Sequence, residues 1–390
     1  MPEPAGPGTA RVVILVLAGV AVALQVGKVP VALPFLRAEL GLTLVQSGWV
    51  VSIFGVVAAL SATMLGALSD RLGHLRTAMT GLMVTAAAAV WGSMAVTGHA
   101  LLLSRLVEGV GFLLTVNSVP PMILRVARPD RQHTAMAFWG LYLPVGSFLM
   151  MAASGPMLEF LDWRALWLVT AALIVAAAVP IFLVGRRVPR PVSPQARPGL
   201  RQLLRPAPLL LGATFMFYTA QYFVVAGFLP LILIAQDGFS AVRAAMVGAG
   251  VVAMNALGNG VSGWLHGRGA GSVRLITIGA IAALILSVPI FALSLPPGWR
   301  IAAALGFGAF AGLVPSSLFA VIPALAARGA GVAGLSGVMA QASGMGQLLG
   351  PPLVAAFAGT SVGWGAAIPV MAGLAVAMLV AARLLGHRLR

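Results

Sequence analysis

Lys28 is the only lysine among 24 Lys and Arg residues, and it lies inside an apolar run from Val12 to Pro34. Arg105 and Glu108 stand three residues apart in a second apolar run, a spacing that sets both on one face of a helix and lets them pair. A cation at the centre of a membrane helix costs ~2.5–3.5 kcal/mol on insertion scales, so such residues point to a site by default. Their chemistry is specific. The ammonium is a compact point charge, the guanidinium a fork that matches carboxylates and oxyanions, and a buried carboxylate is either paired or carries a proton. The plainer alternatives are a Lys28 that snorkels toward the nearer interface, or a salt bridge that only joins two helices.

The elements that hold these residues follow from composition. Sixty per cent of the 390 residues are apolar and 8% are charged, with a mean hydropathy of +1.02, far from the soluble norm. A bilayer is the matching solvent, and it demands helices or closed barrels. Apolar runs of about 20–25 residues without period-two alternation fit helices. The expected fold is an all-α membrane protein with twelve transmembrane helices near 12–34, 45–68, 76–97, 100–124, 133–157, 164–185, 208–235, 243–265, 273–294, 300–323, 332–358 and 363–384. These group into a first half, 1–185, a basic linker, 186–207, and a second half, 208–390. The run from Val12 is too long for the apolar core of a signal peptide. With no cysteine, neither disulfides nor thiolate metal sites arise, and no cofactor is expected.

If the N-terminus faces the cytoplasm, eighteen arginines fall in inside segments and four (Arg37, Arg164, Arg243, Arg300) outside, with Lys28 and Arg105 in the membrane. The positive-inside rule then places both termini in the cytoplasm. The same distribution explains the net charge of +16 by short loops facing anionic lipid, which removes nucleic acid as the expected partner. No Gly-x-x-x-x-Gly-Lys-Ser/Thr loop is present, which argues against a nucleotide-driven pump, and the five histidines lack metal-ligand spacing. An enzyme is not expected.

The halves repeat weakly. Gln25 and Leu33-Pro34 answer Gln221 and Leu229-Pro230 at an offset of 196. The run Gly66-x-Leu68-Ser69-Asp70-Arg71-x-Gly73 sits after the second span, and Gly263-Trp264-Leu265-His266-Gly267-Arg268-Gly269 after the eighth. Repeated six-helix halves built of three-helix units describe one large transporter fold. With the Gly66 to Gly73 loop and Arg105-Leu106-Val107-Glu108-Gly109-Val110-Gly111 on span four, the chain resembles the major facilitator superfamily over essentially its whole length, closer to the cyanate-permease-like and carboxylate-transporting branches than to the cation-drug branches. The first loop departs from the family pattern at His74-Leu75, and Glu108 stands where that pattern commonly has Gln.

The resemblance implies a secondary transporter working by alternating access, monomeric and in the bacterial inner membrane. It implies that Gly66, Asp70, Arg71 and Gly73 act in gating, and that spans one, four, seven and ten line a central cavity. Lys28 and Arg105 lie at similar depth, ~9 Å below the outer boundary at ~1.5 Å per residue. In such a cavity Lys28, Arg105 and Glu108 would form one cluster of net charge +1, suited to a small organic or inorganic anion. Glu108 would couple it to protons. Gln25, Gln221, Tyr142, Tyr218 and Tyr222 are further candidates for substrate contact, although the tyrosines serve equally well as bonds between helices. A proton-coupled multidrug efflux antiporter is the second expectation, favoured by the Arg105 motif, and a non-transporting sensor with the same fold is the third.

Overall fold

The computed structural model describes residues 7–60, 69, 72–128, 131–188, 200–325 and 332–389, and all regular structure among them is helical. The first helix, α1 (Pro7–Leu40), runs past the expected end at Pro34 with Pro30 and Pro34 inside it. Transmembrane helices tolerate such prolines because neighbours re-satisfy the freed backbone groups. Gly41, at φ +62°, makes the turn, and Thr43 and Gln46 then close a capping box at the start of α2 (Leu44–Ser52). Each side chain of the box satisfies a backbone N–H that the first helical turn leaves unpaired.

The chain continues through α3 (His74–Ser93), α4 (Gly98–Val126), α5 (Gln132–Gly140), α6 (Tyr142–Phe160) and α7 (Trp163–Gly185). After the linker come a single turn, α8 (Leu200–Leu203), then α9 (Pro206–Ala235), α10 (Ala241–Gly267), α11 (Ser272–Phe291), α12 (Pro297–Ala311), α13 (Leu313–Leu325), α14 (Val332–Ala358) and α15 (Ala367–Leu389). Among the described residues nine segments are long and apolar enough to cross a membrane. The expected spans at 76–97 and 332–358 are helical, as α3 and α14, but are not among the nine. α3 opens with His74 and Arg76, and α14 carries Gln341, Gln347, Pro351 and Pro352, residues that lower hydropathy, while the small residues of both let helices approach closely. The expected span at 45–68 lies partly outside the described residues.

Packing repeats along the chain. In the first set of helices α1 packs on α6 and α7, and in the second α9 packs on α14 and α15. The sets meet along α2 with α14, α6 with α10, and α1 with α9. These seams depend on glycine. A Cβ on Gly344 would stand 2.5 Å from the Ala59 nitrogen, and one on Gly155 2.8 Å from the Val242 Cα. Within the second set, Gly312 separates α12 from α13 where the Asn255 carbonyl oxygen of α10 approaches to 2.2 Å of a would-be Cβ.

Gly346→Ala would press its new methyl to 2.1 Å from the Met216 oxygen of α9. Overpacking of this kind costs about 1–3 kcal/mol, and thermal unfolding of the detergent-purified variant should show a clear drop in midpoint, unlike Gly260→Ala, where a Cβ meets open space.

Candidate functional site

The seam between α1 and α4 brings Lys28, Arg105 and Glu108 together. Lys28 Nζ lies 3.0 Å from Glu108 Oε1 and also donates to Gln25 Oε1, one turn back on its own helix. The other oxygen of Glu108 accepts from Arg105 Nη1. The same Nη1 donates to the Gln25 carbonyl oxygen at 3.1 Å, so the guanidinium ties α4 to the backbone of α1. All four side chains are essentially sealed, at 0% exposure for Lys28, Gln25 and Glu108 and 1% for Arg105.

Two aromatic rings complete the enclosure. Lys28 Nζ sits 4.2 Å from the centre of the Trp167 ring on α7, and the Arg105 guanidinium carbon 4.9 Å from that of Phe54. A desolvated cation over an aromatic face is stabilised by ~2 kcal/mol, which offsets part of the cost of leaving water. Periodicity located the charges but gave no sign of Trp167, which lies 139 residues beyond Lys28 and reaches it only because α7 packs on α1.

Balance within the cluster is incomplete. Two cations face one carboxylate, and Arg105 Nε, Gln25 Nε2 and Trp167 Nε1 have no hydrogen-bond partner among the described residues. All three are donors. The orientation of Gln25 is fixed by its neighbour, because turning the amide would aim an NH2 at the ammonium. The site therefore has surplus positive charge and surplus N–H groups in an interior where each unmade bond is costly.

The other sequence candidates, the three tyrosines and Gln221, have partners of their own. Tyr218 accepts from Asn255 Nδ2 at 3.1 Å, Asn259 donates to Asn255 Oδ1 at 3.3 Å, and Ser316 donates to Asn259 Oδ1 at 2.8 Å. This uncharged chain links α9, α10 and α13. Tyr222 stacks on Tyr218 with ring centres 5.9 Å apart, and Tyr142 stacks on Trp139 at 4.5 Å. Gln221, 1% exposed, donates to the Phe217 carbonyl oxygen at 3.0 Å, leaving its Oε1 unpartnered among the described residues. Of the gating candidates, Gly73 takes φ +93° at the start of α3, a conformation open to glycine, while Gly66, Asp70 and Arg71 lie outside the described residues.

Two arginines that the sequence set in outside segments, Arg300 and Arg164, form ion pairs at helix ends. Arg300, 0% exposed, pairs with Asp237 and donates to the Ile290 carbonyl at 3.0 Å. Arg164 pairs with Glu39 at 2.6 Å, and the same carboxylate accepts from the Trp163 indole. Trp163 is 2% exposed. At the end of the bundle carrying the α1–α2 turn, a cleft of about 470 Å³ is lined by Arg37, Gln236 and Trp364 among others.

The family profile described as Major Facilitator Superfamily matches residues 15–345. The chain belongs to the major facilitator superfamily. Similar curated proteins include the multidrug efflux pump LfrA of Mycolicibacterium smegmatis, 26% identical over 227 residues, which are 57% of this chain and 41% of that protein. They also include the methylenomycin A resistance protein of Bacillus subtilis, 25% identical over 47% of this chain and 39% of its own length. A third is the methyl viologen resistance protein SmvA of Salmonella typhimurium, 29% identical over 48% and 37%. The matched part of this chain thus spans about two fifths of each relative's length. Among solved structures, a bacterial homolog of the human lysosomal transporter Spinster, in an inward-facing and occupied conformation, superposes with a TM-score of 0.77 at 16% identity, covering 96% of this chain and 95% of that one. The nucleoside transporter NupG gives 0.77 at 15%, covering 96% and 99%. At these identities the two structures establish the fold: a multi-pass membrane transporter fold, helical throughout the described residues.

Removing one member of a buried charge set costs about 3–5 kcal/mol when it leaves an uncompensated charge. Lys28→Met leaves Arg105 and Glu108 balanced, whereas Glu108→Gln leaves two facing cations. Thermal unfolding should therefore rank wild type above Lys28→Met, and Lys28→Met above Glu108→Gln.

Proposed function

We propose that this protein is a proton-coupled secondary transporter of a small anion, working in a bacterial inner membrane by alternating access between its two six-helix halves, 1–185 and 208–390, joined by the linker 186–207. The observation that carries the reading is the Lys28–Arg105–Glu108 cluster, with one more cation than anion and three N–H groups around it unpaired among the described residues. A carboxylate or small oxyanion supplies what is missing: negative charge, and acceptors for Arg105 Nε and Gln25 Nε2.

Glu108 gives the coupling. Ionised, it occupies both cations and competes with the substrate. Protonated, it releases them, so an anion and a proton bind together and their charges cancel in the low-dielectric interior. Rocking of the halves along the glycine seams of α2 with α14 and α6 with α10 would then expose the cluster to either side, with the Gly66 to Gly73 loop, including Asp70 and Arg71, as gate. Twelve crossings with both termini in the cytoplasm complete this topology.

A second reading has its own support. Several relatives bear drug-export or drug-resistance names, and aromatic groups run from Phe319 through Phe215 and Tyr218 to Tyr222, a surface suited to apolar compounds. On that reading Lys28 is a structural partner of Glu108.

Proton flux in liposomes holding purified protein separates the two. With a panel of small anions and of cationic drugs, the anion reading expects anion-dependent flux that Lys28→Ala abolishes, and a Glu108→Gln variant that still exchanges anion but no longer accumulates it in response to pH. Drug-dependent flux indifferent to Lys28 overturns it in favour of export.

A further inference from the structure

Gln25 and Gln221 hold the same place in the two repeats, each nine residues before the proline of a Leu-Pro pair, Leu33-Pro34 and Leu229-Pro230. They lie on α1 and α9, which pack against each other, and both are sealed, at 0% and 1% exposure. Each has half of its amide engaged, and the halves differ. The Gln25 oxygen accepts from Lys28 and its nitrogen is unpartnered among the described residues. The Gln221 nitrogen donates to the Phe217 carbonyl at 3.0 Å and its oxygen is unpartnered among the described residues.

Neither amide can be turned to remove the mismatch. Reversing Gln25 would aim its NH2 at an ammonium, and reversing Gln221 would set oxygen against oxygen. One free donor therefore belongs to the first repeat and one free acceptor to the second, on paired helices. Buried amides with a group unpaired are expensive, and two such groups of opposite kind at equivalent positions form a complementary set. The free donor on α1 is joined by the unpaired Arg105 Nε and by surplus positive charge, so what α1 lacks is an acceptor and what α9 lacks is a donor.

We propose that Gln25 and Gln221 are a split recognition pair, and that the transported anion carries a hydrogen-bond donor beside its charged group, as a 2-hydroxycarboxylate does. The inference rests on the anion reading above and narrows it. Gln25 donates to the carboxylate together with Arg105, and the substrate's hydroxyl donates to Gln221 Oε1. Anions without O–H or N–H, such as nitrate, cyanate or an unsubstituted short-chain carboxylate, leave the Gln221 oxygen unpaired. A substrate held by both amides touches both repeats, which ties recognition to the closure of one half on the other.

The test compares proton-driven uptake of lactate and of propionate, which differ by the hydroxyl alone, in proteoliposomes corrected with protein-free vesicles. A site that hydrogen-bonds a substrate hydroxyl rejects the analogue lacking it, so wild type should favour lactate by about tenfold or more in kcat/KM. Gln221→Met, similar in length but without the acceptor, should bring the ratio within about threefold, a readout that does not depend on how much of the variant folds. Wild type taking both anions alike overturns the proposal whatever the variants do, as does a Gln221→Met that keeps the preference. Failure of the underlying anion reading looks different: neither anion moves, while cationic drugs drive proton flux in the same vesicles, and that outcome overturns both.

Discussion

Charge in a bilayer interior has to be balanced locally, because no water is present to screen it and a unit charge left alone is held at a cost of kilocalories. The contact of the Lys28 ammonium with Glu108 at 3.0 Å, with Arg105 on the second carboxylate oxygen, is where this chain meets that constraint. Much of the first helical set is arranged around it. α4 must present Arg105 and Glu108 on one face, α1 must bring Lys28 and a backbone carbonyl opposite, and α7 must set Trp167 against the ammonium. A cluster so enclosed ties three helices together, and it keeps N–H groups without a partner among the described residues.

The second helical set is built differently. Apart from the Arg300–Asp237 pair at its end, its interior contacts of this kind are uncharged amides and hydroxyls, Tyr218, Asn255, Asn259 and Ser316, linked across α9, α10 and α13. Bonds of this kind between membrane helices contribute only ~0.6 kcal/mol each on average, so close packing carries more of the cohesion. That agrees with the backbone approaches at Gly258, Gly312, Gly346 and Gly350. A three-residue charged cluster in the first set and a mostly uncharged network in the second make the two sets unlike, and they join at seams of small residues.

Much of this was legible in the sequence because membranes simplify the code. Runs of apolar residues give helices directly, and a lone lysine or a glutamate three residues from an arginine stands out against them. The depth of Lys28 and Arg105, counted by helical rise, placed them side by side, and they do meet. Long-range partners were not legible. Nothing local to Trp167, Phe54 or Asp237 marks them as neighbours of Lys28, Arg105 and Arg300, because those contacts depend on which helices pack together. Arg300 read as a loop residue since it sits near a span end. Its buried guanidinium is matched by Asp237 at the end of another helix. The tyrosines were visible as polar groups at membrane depth, but only geometry separates their network from the charged cluster.

The central claim is that an anion and a proton share one set of charges. Its most direct measurement is the pH change of a weakly buffered solution of purified protein when lactate is added. Binding should draw up close to one proton per anion bound as Glu108 is displaced from Lys28 and Arg105 and protonates, and Glu108→Gln should bind without that uptake. Anion binding with no proton uptake in the wild type, or the same uptake in Glu108→Gln, would contradict the account.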